Sequence, residues 1–336
     1  MPASHTSYQT MAYTFILLLV LLLVSFFAPP SQANDLYLDN YFEDQDYADI
    51  TFYGGVGQRK GELRWNIASD ASGHKTPNIL SELTFEDLSI FEIQGGVDIR
   101  FNRGMLRNFR IEANIKSGTN SDGLVTDSDY DGDNRTEEYS RSESNPDGST
   151  SFDGKFIIGY EMRWSEHIVI TPLIGYRYNR QSLKMKDGEQ ILDTRAVALS
   201  LGPFSSELNS SYEAEWNSAI FGLDTQYRTR KHQLSLRLEF TLSDYYAEAN
   251  WNLRSDFAHP KSFAHWARGT GNNIEFKYQY NATPSFSLWV SYRLEDWATN
   301  EGDDVVYFSD GTKAGTQLNE VVWESTATSA GFSLNF

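Results

Sequence analysis

Residues 329–336 read Ser-Ala-Gly-Phe-Ser-Leu-Asn-Phe, with Phe332, Leu334 and Phe336 on one parity and Ser329, Gly331, Ser333 and Asn335 on the other. A period of two means a strand, because successive side chains of an extended chain leave on opposite faces. The device recurs in 233–252, where Leu234, Leu236, Leu238, Phe240 and Leu242 alternate with Ser235, Arg237, Glu239, Thr241 and Ser243. It appears again in 272–281, as Ile274, Phe276, Tyr278 and Tyr280 against Asn273, Glu275, Lys277 and Gln279. One parity is bulky and apolar; the other carries charges of both signs. In a soluble sandwich the charged parity would have to face solvent or core, whereas in a membrane-spanning barrel it faces a lumen where opposite charges pair.

The start of the chain points to export. Phe15 to Phe27 is apolar except for Ser25 and is followed by Ala-Pro-Pro-Ser-Gln-Ala ending at Ala33. A run of that length is an h-region rather than a spanning helix, which needs about 20 residues. Residues 1–33 are therefore expected to be a signal peptide cleaved before Asn34, although no Lys or Arg precedes the run. Residues 34–47 form an acidic, tyrosine-rich leader, and residues 48–336 the folded unit. With 28 basic and 46 acidic side chains the net charge is -18, which excludes a nucleic-acid partner and suits cationic ligands. The chain has no cysteine and so no disulfide.

Alternating segments at 48–67, 79–101, 109–119, 152–164, 167–186, 212–228, 233–252, 272–281, 286–297 and 321–336 total ten strands. Long polar connections alternate strictly with short turns between them. Even strand number, short turns at one end and long loops at the other are the topology of outer-membrane barrels. The last residues resemble the C-terminal signal strand of those proteins, with Ser329, Gly331, Leu334 and Phe336 filling its positions. The expected fold is therefore all-β, a ten-stranded antiparallel transmembrane barrel in the cell outer membrane. Its loops would be extracellular and its wall in contact with membrane lipid. Open diffusion channels use about 16 to 18 strands, so ten favour function on the external loops over a general pore; a narrow substrate channel is the least favoured reading.

Over most of its mature length the chain resembles the omptins, outer-membrane aspartic-type endopeptidases of Gram-negative bacteria. The resemblance rests on Ala48-Asp-Ile-Thr51, Gly57-Gln-Arg-Lys60, Ser81-Glu-Leu-Thr-Phe85, Gly95-Gly-Val-Asp-Ile99, Gly175-Tyr-Arg-Tyr-Asn-Arg180 and Thr283-Pro284, taken in order. It implies hydrolysis of cationic peptides by water activated between an Asp-His pair and an Asp-Asp pair across an extracellular cleft. The Asp-Asp pair falls on Asp127 and Asp129. The Asp-x-His pair has no counterpart in 244–254, which holds no histidine; the nearest candidates are Asp256 and His259, at a spacing that places them on opposite faces of a strand. His265 has no matched partner, and Glu248 is a substitute base only by position. The resemblance also implies a lipopolysaccharide contact at Tyr176 and Arg180, with Tyr178 and Glu215 departing from the family's pattern.

The acidic stretch supports a competing reading. Asp127, Asp129, Asp131 and Glu138, with Gly132 between them, match the oxygen-ligand spacing of a calcium loop, although no helices flank it and Asn134 replaces the usual aliphatic residue. The same two aspartates cannot both hold Ca²⁺ tightly and share a proton for catalysis. A solvated acidic loop is the plain alternative. The two functional expectations are thus an omptin-like endopeptidase and a non-catalytic surface binding or adhesion barrel. Gly54-Gly-Val-Gly57 is read as a strand bend, since no helix follows it to bind phosphate.

Overall fold

The computed structural model describes residues 47–195 and 201–336; the expected signal segment and nearly all of the leader lie outside the described residues. The strands are β1 (Ala48–Ile67), β2 (Ser81–Phe101), β3 (Phe109–Asn120), β4 (Leu124–Gly132) and β5 (Thr136–Asn145). They continue as β6 (Thr150–Tyr160), β7 (Met162–Arg163), β8 (Ile168–Asp193), β9 (Gly202–Pro203) and β10 (Ser210–Arg228). The last are β11 (His232–Asn250), β12 (Phe263–Asn281), β13 (Phe286–Thr299), β14 (Gly302–Tyr307) and β15 (Lys313–Asn335).

Ten of these close a ring in the order β1-β2-β3-β6-β8-β10-β11-β12-β13-β15, sealed by the antiparallel pairing of β15 with β1 from Thr51↔Asn335 upward. Higher up, three strands of the wall are exchanged for others. β4 pairs with the top of β2 and β5 with the top of β8, taking over the wall from β3 and β6. β14 likewise fits between β12 and β15 above the end of β13. The segments 120–151 and 298–320, expected to be loops, are therefore largely wall. Their outward faces need no apolar residues at that height, so the period-two hydrophobic signal is missing from them.

The outward parity divides the barrel into two zones. Phe52, Val56, Ile174, Phe276, Leu288 and Val290 are exposed on the lower wall, forming the apolar band expected against lipid. On the same parity above them come Gln58 and Lys60 of β1, Glu215 and Glu213 of β10, and Asp244 of β11. The upper barrel, including β4, β5 and β14, thus stands clear of the membrane on the long-loop side.

The interior is filled in two layers. At membrane height it is an ion-paired lattice: Arg59 Nε donates to Glu92 at 2.7 Å and Arg177 to Glu295 at 2.8 Å. Closer to the short turns, Arg110 reaches Asp224 and Arg237 reaches Glu112, each at 2.7 Å. Such charges are tolerable out of water because each has an opposite partner. Above lies an apolar layer containing Leu63, Trp65, Phe85, Trp216, Trp297 and Trp323. The layers meet where the Arg177 guanidinium lies 4.4 Å from the Trp297 ring. Within the lattice a cavity of about 90 Å³ remains, lined by Asp98, Arg110, Glu112 and Lys277 among others. Among the described residues the interior is thus largely filled by the wall's own side chains.

Candidate functional site

The mouth is shaped by β4. Register sets Val125 opposite Phe85, Asp127 opposite Leu83 and Ser142, and Asp129 opposite Ser81 and Ser140. Since Val125, Leu83 and Phe85 are in the inner apolar layer, the two aspartates share that inward face one turn of the pleat higher. Burial and the neighbouring Asp129 push the Asp127 carboxyl up to about 8, with the Trp251 indole and Arg254 opposing the rise. Burial also raises Asp129, whose hydrogen bonds to Ser81 and Ser140 and nearby Arg254 hold it down. Burial of both, and for Asp127 the charge of its neighbour, thus disfavours ionising the two carboxyls together. The sequence placed this pair together, and the structure keeps it together.

The proposed histidine partner is elsewhere. His259 is exposed, with Nδ1 2.8 Å from Asn250 Oδ1 and Nε2 3.1 Å from the Arg254 carbonyl. Asp256 accepts two hydrogen bonds from Arg254, at 2.9 and 2.7 Å, and has no contact with His259. Glu248 points outward and pairs with Lys261 and Tyr246. None of these joins Asp127.

His265 does have a partner, which the sequence did not reveal. It lies opposite Asp304 in the β12–β14 register, with Nε2 3.3 Å from Asp304 Oδ1. Its Nδ1 is 2.9 Å from the Tyr212 hydroxyl, which is 2.6 Å from that of Tyr245, while Thr316 donates to Asp304 at 2.8 Å. Nδ1 is thus hydrogen-bonded to the Tyr212 hydroxyl, whereas Nε2 and Asp304 Oδ1, although close, are not aligned for a hydrogen bond and both are left without one. His265 and Asp304 are both fully buried. Trp65 packs edge-on against the imidazole at 4.9 Å and Phe263 lies 5.3 Å away, with Trp251 a further 4.6 Å beyond Phe263. An aromatic layer of Phe263 and Trp251 therefore separates this carboxylate–imidazole pair from Asp127. No spacing rule links residues 265 and 304; only the placement of β14, read as loop from sequence, brings them together.

The calcium set is not assembled. Folding of 124–145 into a hairpin splits its ligands: Asp127 and Asp129 face inward, Asp131 is bound by Arg195, and Glu138, opposite Tyr130, is bound by Arg141. Among the described residues no group of three acidic or histidine side chains is arranged to hold a metal ion. On the outer wall, Tyr176 is exposed and donates to Asn217 at 2.7 Å. Arg180, also exposed, is paired with Glu213 and lies 3.9 Å from Glu215, its cross-strand neighbour. The acids offset the charge that a lipid phosphate would require there.

The fold is similar to that of the outer membrane protease OmpT from Escherichia coli, with a TM-score of 0.66 and 14% identity over 86% of this chain and 97% of that one. More distant barrels include the translocator domain of the autotransporter NalP from Neisseria meningitidis (TM-score 0.33, 10% identity, 98% of each chain) and OprG from Pseudomonas aeruginosa (0.32, 10%, 87% and 97%). No curated protein sequence matches the chain. The sequence pattern of the Pom family, the Protochlamydia outer membrane proteins, runs from residue 53 to residue 336, so it takes in nearly the whole ring from β1 to the terminal Phe336. This outer-membrane β-barrel belongs to the Protochlamydia outer membrane protein family.

Proposed function

We propose that this barrel is a non-catalytic surface binding protein whose acidic mouth takes a cationic peptide segment. The observation that carries the reading is the Asp127–Asp129 pair, which faces the mouth with a proton held on Asp127 while His259 and His265 are hydrogen-bonded elsewhere. A Lys or Arg side chain entering the mouth would displace that proton and meet two carboxylates. The Trp251 indole beside them offers a face for its aliphatic stem. The test is binding of a labelled dibasic peptide to the folded barrel in detergent, with Asp127→Asn and Asp129→Asn as comparisons. Binding at low salt that drops at least tenfold in the double variant supports the reading; equal binding by both proteins ends it.

A second reading, omptin-like endopeptidase activity, is favoured by the survival of the aspartate pair at the mouth. In that reading His265 and Asp304 supply the base, once Phe263 and Trp251 move aside to admit water. Its test is cleavage of a fluorogenic dibasic peptide with lipopolysaccharide present, comparing wild type with Asp127→Ala, His259→Ala and His265→Ala. Activity lost with Asp127 and His265 but kept without His259 selects this mechanism, and a folded wild type that cleaves nothing removes it.

A further inference from the structure

The cavity of about 90 Å³ inside the lattice lies at the short-turn end of the barrel. Of its lining residues, Gln233 and Gln279 stand next to the β10–β11 and β12–β13 turns, and Thr51 and Asn335 near the start of β1 and the end of β15. These four are only partly buried, whereas Arg110, Glu112 and Lys116, further from the turns, are buried. The cavity is therefore reached by solvent from the periplasmic side.

Most of the charges on its wall are matched. Arg110 is paired with Asp98 and Asp224, Arg237 with Glu112, Lys155 with Glu239 at 2.9 Å and Arg100 with Glu161 at 3.2 Å. Lys116, Lys277 and Glu275 also line the cavity, and among the described residues none of them has an opposite charge within ion-pairing distance. Glu275 stands between Arg237 and Arg293 in the register, so positive charge offsets it from both sides. Lys116, 6% exposed, lies opposite Asp153, whose carboxylate is held by Arg177 and by Asn179 at 3.2 Å. The Lys277 ammonium rests over the rings of Trp289 and Tyr53, at 4.9 and 5.2 Å, a weaker attraction than an ion pair. Two ammonium groups thus face one cavity without a paired counter-charge, an unfavourable arrangement for groups withdrawn from bulk water.

We propose that this cavity is a binding site for a small divalent oxyanion of the phosphate class, entering from the periplasm. The Lys116 and Lys277 ammonium groups meet its oxygens, and Gln94, opposite Lys116 in the β2–β3 register and also lining the cavity, adds an amide donor. The size of the cavity suits a free tetrahedral anion and excludes a peptide or a phospholipid. A cation is disfavoured because Asp98, Glu112 and Asp224 are already taken by arginines. The proposal is independent of the reading of the mouth at the opposite end.

The test is equilibrium dialysis of radiolabelled inorganic phosphate against the full barrel in detergent, at constant ionic strength. Wild type should hold a single phosphate, displaced by unlabelled phosphate or sulfate. Lys116→Met and Lys277→Gln should each weaken binding about tenfold, the loss expected for a hydrogen bond to a charged group. Glu275→Gln removes the acid that competes for the two ammonium groups and should tighten binding. Phosphate should also raise the urea midpoint of wild type, because a ligand of the folded state stabilises it, and Lys116→Met should abolish that gain. Folding of each variant is checked by its heat-dependent gel mobility, and should one lysine variant fail to fold, the other and Glu275→Gln decide. Wild type that binds no phosphate, binding unchanged in the folded lysine variants, or binding weakened by Glu275→Gln would each overturn the proposal. So would equal protection of wild type and Lys116→Met by phosphate against urea.

Discussion

At the scale of single residues the mouth is governed by Asp127. Its carboxyl holds a proton to about pH 8 in the folded barrel, against an ordinary value of 3.8. At this group the folded state therefore binds more protons than the unfolded one between those limits, and its contribution to stability falls as pH rises from about 4 to about 8. Asp127→Asn should remove this slope and be more stable than wild type at pH 9, by about 2 kcal/mol once screening at the open mouth is discounted. Urea midpoints at pH 5 and pH 9 would check it, and a parallel fall in both proteins would refute it. For the cationic-peptide reading the sign reverses: affinity should rise with pH through the same window, with proton release measurable by calorimetry in buffers of different ionisation heat. The pair was readable from sequence only through the resemblance to the omptins, since the segment that holds it reads as loop; it is β4 that puts these i, i+2 residues on a common face. The His265–Asp304 pair was not, since it depends on cross-strand register.

At the scale of elements, the seam where the ring closes imposes the strictest demands. Gly55 of β1 lies opposite Gly331 of β15, and the Trp289 indole crosses both, donating to the Phe332 carbonyl at 3.0 Å. A β-carbon on Gly55 would lie 2.6 Å from the Ala330 carbonyl oxygen and 2.6 Å from the Trp289 ring. Gly55→Ala should therefore cost about 1–3 kcal/mol, read as a lower urea midpoint of the refolded barrel. Sequence located the ten membrane strands because lipid requires an apolar residue at every second position of them. It did not locate β4, β5 and β14, whose polar alternation, as in Thr136-Glu-Glu-Tyr-Ser-Arg-Ser-Glu-Ser-Asn145, carries no such mark.

At the scale of the whole molecule, the interior works as a plug made from the wall's own side chains. Glu295 is its central anion, meeting Arg59, Arg177 and Arg293 at once. Glu295→Gln leaves those arginines short of charge in a dry environment and should cost about 3–5 kcal/mol, measured by unfolding in detergent. A loss below about 1 kcal/mol would mean that water reaches the lattice. In a planar bilayer the wild-type protein should give no steady conductance steps, because the aromatic layer lies directly on the paired charges. Regular open-channel steps would show that this interior rearranges.

The exchange of strands at mid-height carries a consequence for how such a protein can change. The β4–β5 hairpin and β14 contribute to the mouth and not to the apolar band, while β3, β6 and β13 contribute to the band and stop short of the mouth. Mutations can therefore accumulate in the surface-displayed hairpins without disturbing the strands that insert into lipid. Descendants of one barrel can thus diversify in what they meet outside the cell while inheriting an unaltered anchor.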